Sequence, residues 1–169
     1  MADKDKRLFL LDAFALIYRA YFALSKSPIY NSKGLNTSAI YGFTNTLLDL
    51  MNKENPTHLA VVFDSLEGTT DRAAEHDFYK ANREAMPEDI ATSIPIIKEI
   101  IDGFKIPMLE LAGYEADDII GTLAKNAEKD GYTTYMVTPD KDFGQLVSDN
   151  IYMYKPAYMG QSRKILGVK

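Results

Sequence analysis

The stretch HLAVVFD, residues 58–64, decides the fold. Leu59 to Phe63 run on without the alternation of apolar and polar side chains that a sheet with one wet face requires, so both faces of this strand must be covered. Pro56 breaks the chain before it, and Asp64 ends it. Residues 7–12 (RLFLLD) repeat the pattern, a short apolar run too brief for a helix and closed by Asp12. Residues 106–111, 133–138 and 151–154 read as three further strands. Between them the apolar spacing is helical. Residues 14–24 predict one helix, and a second begins at Thr37 or Ser38 and ends near Asn52, after a loop containing Pro28 and Gly34. Residues 89–103 carry apolar side chains at 90, 94, 97, 100 and 101, and Gly103 closes them. Ile119, Ile120, Leu123, Ala124 and Ala127 mark another helix, closed by Gly131, and residues 143–147 a short one. Residues 65–88 are polar and mixed. Apolar strands alternating with helices predict an α/β three-layer sandwich around a mostly parallel five-stranded sheet.

At 169 residues the chain is expected to form one domain with a proper core. The apolar run 8–11 behind the charged MADKDKR is too short for a signal peptide or membrane span. There is no cysteine, which removes disulfides, thiolate nucleophiles and cysteine zinc sites and fits a reducing, cytoplasmic setting. With only two histidines, His58 and His76, any metal must be held by oxygen, and oxygen favours hard ions such as Mg²⁺ or Mn²⁺. The net charge of −5 argues against gripping nucleic acid through bulk positive charge. A carboxylate cluster loaded with cations would reverse that sign locally.

Such a cluster is present in outline. Strand one ends at Asp12, strand two at Asp64, and strand four leads to Asp140 and Asp142. The segment after strand three, GYEADDIIG, supplies Glu115, Asp117 and Asp118. In an open parallel sheet all of these reach the carboxyl edge, where such folds bind ligands. Singly, each has a bland explanation: aspartate is common past a strand, and acids in a helix's first turn complement its dipole. Together they conflict. Two like charges about 4 Å apart in a partly buried setting repel by roughly 4 kcal/mol, against a whole-domain stability of about 5–15 kcal/mol. The chain must protonate some carboxylates or neutralise them with cations, and a pair of divalent ions bridged by carboxylates is a known device for displacement at phosphorus. On a helical wheel Glu115 and Asp118 lie about 60° apart and share a face, whereas Asp117 points away unless it precedes the regular helix.

Candidate phosphate and base contacts are Lys80 and Arg83, one turn apart, with Tyr79 beside them, Arg72 upstream, and Tyr18, Arg19, Tyr21, Lys26 and Tyr41 in the first third of the chain. Lysine stabilises charge, arginine clamps phosphate and tyrosine stacks on bases. Without the acids, the same residues read as a solvated face and core aromatics.

The segments LFLLDAFALIYRAYFAL, TSAIYGF, AVVFD, YKANREAMPEDI, GYEADDIIGTLAKNAEKDGY and TPDKDFGQLVSDNI resemble, in order, the 5′-nuclease domains of bacterial type I DNA polymerases, within the flap-endonuclease group. The resemblance spans Arg7 to about Lys155 and implies a PIN-like or resolvase-like fold with strand order 3-2-1-4-5. It also implies two-metal hydrolysis of DNA, with Mg²⁺ or Mn²⁺, at a 5′ end or 5′ flap by a monomer serving replication and repair. Asp12, Asp64, Glu115, Asp117 and Asp118 match the first-metal group, Asp140 and Asp142 the acids nearer a second metal, and Lys80 and Arg83 the basic residues beside the scissile phosphate. Asp12 and Asp118 stand with Lys80 and Arg83 as the catalytic set the resemblance implies. The chain departs from the pattern at Asp71-Arg72: the family usually has an aromatic before the arginine, whereas here Asp71 precedes Arg72 and the spacing is one residue longer. The family continues into a helix-hairpin-helix-like module, so the chain is expected to be part of a longer polymerase. Two other readings remain: a PIN-type single-strand ribonuclease, which needs no YKANR segment, and a non-enzymatic Mg²⁺-binding receiver, which would pair acids right after strand one, where Asp12 stands alone.

Overall fold

The computed structural model describes residues 6–65 and 86–168; Arg72, Tyr79, Lys80 and Arg83 lie outside them. The chain builds β1 (Arg7–Asp12), α1 (Ala13–Ala23), α2 (Ser38–Glu54), β2 (His58–Val62), α3 (Glu88–Gly103), β3 (Met108–Leu109), α4 (Ala116–Lys129), β4 (Thr133–Val137), a 3₁₀ turn (Lys141–Leu146), β5 (Ile151–Lys155) and β6 (Lys164–Leu166). They form one sheet in the order β3-β2-β1-β4-β5-β6. The first five strands are parallel and β6 is antiparallel to β5.

The unalternating strands are covered as their composition requires. Phe9, Leu11, Val61, Phe63, Val137 and Tyr154 face α1, α2 and α3. Leu10, Ala60, Val62, Met136, Ile151 and Met153 face α4 and Phe143 of the 3₁₀ turn. Two apolar layers thus grip the central strands, whose carboxyl ends are thereby held rigidly. On the first face α1 and α2 cross at Gly42: a Cβ there would come within 2.6 Å of the Ala20 Cβ.

The sheet differs from expectation at both edges. β3 covers two residues of the expected 106–111: among the described residues it has a neighbour on one side only, and Pro107 brings no amide hydrogen. Its bonds to the β2 chain run from the Val61 amide to the Pro107 carbonyl (3.0 Å) and from the Phe63 amide to the Leu109 carbonyl (2.8 Å). The sixth strand is an addition, which makes the sheet mixed. Lys164, Ile165 and Leu166 are all exposed, so no burial pattern announced them.

Register fixes what happens at the carboxyl edge. Asp12 is level with Val62 on one side, and Leu11 is level with Val137 on the other, which sets Thr138 next to Asp12.

Candidate metal centre

Asp12 closes β1 and is 8 % exposed. The Thr138 hydroxyl, from the end of β4, donates to Asp12 Oδ2 at 3.0 Å. Burial pushes the Asp12 carboxyl from 3.8 up to about 7; the Thr138 hydrogen bond opposes the rise, and the charges of Asp64, Asp117 and Asp140 add to it. Asp64, 6 % exposed, accepts the Ala116 amide on Oδ1 at 2.7 Å, which fastens the end of the β2 segment to the start of α4.

Glu115 is the residue before the first turn of α4, in an extended conformation (φ −87°, ψ 157°), and Asp117 and Asp118 lie in that turn. One carboxylate oxygen from each of the three lies within 4.8 Å of the others. This corrects the expectation for Asp117. The wheel turned it away on the assumption that Glu115 was already helical; because the helix begins at Ala116, the acids from residue 115 onward fold round a single point.

After β4 the Asp140 amide donates to the Thr138 hydroxyl at 3.1 Å, and Asp140 Oδ1 accepts the Asp142 amide at 2.9 Å, which starts the 3₁₀ turn. The expected helix 143–147 is thus a six-residue 3₁₀ segment beginning at Lys141. Asp140 and Asp142 share with Asp117 and Asp118 the wall of an open cleft of about 750 Å³, together with Thr122, Lys125, Asn126 and Gln145.

The acids therefore meet in three overlapping sets: Asp12 with Asp64, Asp117 and Asp140 through their mutual fields, Glu115 with Asp117 and Asp118, and Asp117 and Asp118 with Asp140 and Asp142 around the cleft. Asp117 is common to all of them. The donors are oxygens throughout, the chemistry of a hard divalent cation. The Asp12 carboxyl, raised first by burial and further by the charges of Asp64, Asp117 and Asp140, is one whose ionised form such a cation would stabilise. The residues fit the ion.

The candidate DNA contacts in the described residues are spread more widely. Tyr18 packs half-buried against the core. The Tyr21 hydroxyl donates to Asp89 Oδ2 at 3.3 Å. Arg19 donates to the carbonyls of Pro156 (2.7 Å) and Ala157 (3.0 Å) and lies 4.2 Å from the Tyr158 ring centre, so its guanidinium ties α1 to the segment after β5. Desolvation lowers its pKa. Lys26 and Tyr41 are exposed.

Comparison with known proteins supplies the family. Residues 7–168 match the profile of the 5′-3′ exonuclease N-terminal resolvase-like domain. The chain belongs to this family. A 5′-3′ exonuclease of Aquifex aeolicus is 44% identical over 151 residues, 89% of this chain and 51% of that protein. DNA polymerase I of Bacillus subtilis is 44% identical over 144 residues, 85% of this chain and 16% of that protein. The chain thus spans about half or much less of the length of these relatives. The bacteriophage T5 flap endonuclease, in a pseudo-enzyme-product complex with DNA and metal ions, superposes with a TM-score of 0.65 at 17% identity, over 88% of this chain and 54% of its own. That likeness is one of fold.

Family membership removes the receiver alternative. Among the described residues of this resolvase-like domain, no helix is long and apolar enough to cross a membrane. Thr138 is the site residue that sequence reasoning missed. A threonine at a strand's end carries no signal by itself; only the register of β1 against β4 makes it a neighbour of Asp12.

Proposed function

We propose that the chain is the nuclease core of a 5′-3′ exonuclease and 5′-flap endonuclease that hydrolyses DNA phosphodiester bonds with Mg²⁺ or Mn²⁺, within a protein of replication and repair. The convergence of seven acids from four separate segments on one sheet edge, with Asp117 shared between three groupings, carries this reading. The names of the relatives, a 5′-3′ exonuclease and a DNA polymerase I, support the substrate class.

Asp12 and Asp64 would form the floor, with Glu115, Asp117 and Asp118 as one wall and Asp140 and Asp142 as the other. Bound there, divalent ions supply a water of lowered pKa and neutralise charge on the scissile phosphate. The chain's own contribution is placement. The Thr138 hydroxyl and the Ala116 amide each hold one oxygen of a buried carboxylate, so the floor is rigid before any ligand arrives. Asp140 and Asp142 stand on a turn that their own backbone bonds define. Lys80 and Arg83 take the role of charge stabilisers beside the phosphate, and Arg72, Tyr79, Lys26 and Tyr41 that of strand contacts. The test is cleavage of an end-labelled 5′-flap duplex by the chain and by Asp12→Asn, with Mg²⁺, with Mn²⁺ and with chelator. Metal-dependent incision that Asp12→Asn abolishes supports the reading, and incision that persists in chelator or in the variant overturns it.

A further inference from the structure

We propose that Thr138 is a positioning residue of the acidic centre: its hydroxyl orients Asp12 toward the cation and at the same time sets the turn that carries Asp140 and Asp142. The inference rests on the metal-centre reading above. Thr138 is 0 % exposed. Its hydroxyl has one hydrogen to give and lone pairs to receive. It gives the hydrogen to Asp12 Oδ2 (3.0 Å) and receives the Asp140 amide (3.1 Å), while Asp140 Oδ1 receives the Asp142 amide (2.9 Å). Three consecutive bonds thus connect the floor acid of β1 to both acids of the far wall. Among the described residues, Thr138 is the one hydrogen-bond donor to the Asp12 carboxylate. With Oδ2 held by the scaffold, Asp12 presents its other oxygen to the ion, and its rotation is locked by β4. A valine would fill the same volume but supply neither the donor nor the acceptor, which leaves Asp12 free to turn and the Asp140 amide without its partner. Outer partners of this kind change metal affinity by roughly 10–100-fold when removed.

The experiment is calorimetric titration of metal-free protein with Mn²⁺ for the parent, Thr138→Val, Thr138→Ala and Thr138→Ser, with folding checked by thermal melts in chelator. Thr138→Val and Thr138→Ala are expected to bind Mn²⁺ roughly 10–100-fold more weakly, and Thr138→Ser to stay within about threefold of the parent because it keeps the hydroxyl. Should valine fail to fold, alanine against serine makes the same comparison. Parental affinity in a folded valine or alanine variant, or a serine variant as weak as they are, overturns the assignment while leaving the metal centre standing. A parent that takes up no Mn²⁺ overturns both.

Discussion

Replacing Asp12 by asparagine should stabilise the metal-free protein at neutral and alkaline pH while destroying its response to metal. Burial and three neighbouring acids raise the Asp12 carboxyl from 3.8 to about 7. A shift of roughly three units, at about 1.36 kcal/mol per unit, corresponds to about 4 kcal/mol held against the folded state once the group is ionised. The sign follows from proton binding. Between the unfolded and folded pKa values the native state holds the proton that the unfolded chain has released. The stability of the metal-free parent therefore falls as pH rises from about 4 to about 7 and stays low above that. Asparagine keeps an oxygen to accept the Thr138 hydroxyl and carries no charge, so it escapes the loss. Urea denaturation in chelator should show the variant more stable than the parent by about 2–4 kcal/mol near pH 8 and equal to it near pH 4. Carboxylates remote from Asp12 titrate alike in both proteins and cancel in the difference, while Asp64, Asp117 and Asp140 lose a neighbouring charge in the variant and add to its gain. Added Mn²⁺ should stabilise the parent and leave the variant nearly unmoved. A variant no more stable than the parent near pH 8, or a gain that is the same at both pH values, would refute the claim that Asp12 is crowded and desolvated.

Asp118→Asn should weaken Mn²⁺ binding in calorimetry while leaving or raising the melting temperature in chelator, since it removes one of three carboxylates whose oxygens lie within 4.8 Å; unchanged affinity refutes it. Gly42→Ala should destabilise the fold by about 1–3 kcal/mol in urea, because the added carbon meets the Ala20 Cβ at 2.6 Å. Combining it with Ala20→Gly should restore most of the loss, and a neutral single variant would show that α1 and α2 can separate freely. Lys80→Ala should lower the turnover of flap cleavage more than it weakens DNA binding; equal losses make Lys80 a tether.

The interior of the fold was legible because burial on both faces leaves a plain trace: HLAVVFD and RLFLLD are apolar without alternation, and both became central strands. The edges were not. β6 is three exposed residues fixed by pairing with β5 and not by burial, and β3 is cut short at Pro107 and has no second neighbour among the described residues. At the site the residue types and their delivery to one edge could be read, since a parallel sheet sends every strand's end the same way. Their mutual geometry could not. The grouping of Asp117 with its neighbours depended on Glu115 standing just outside helix α4, in an extended conformation to which the wheel angle between residues 115 and 117 does not apply. Thr138 depended on inter-strand register, which no local pattern encodes. Arg19 looked like a free cation in sequence, yet folding spends its guanidinium on two carbonyls more than a hundred positions away.

The central claim, that the acids at the carboxyl edge form a divalent-cation centre, is tested most directly by anomalous diffraction from crystals of this protein soaked in Mn²⁺. The expected result is a peak within about 2.5 Å of carboxylate oxygens from Asp117 and at least one of Asp12, Asp64, Glu115 or Asp118, lost in Asp12→Asn or Asp118→Asn crystals. A well-ordered edge with no peak, or with Mn²⁺ bound only elsewhere on the protein, would contradict it.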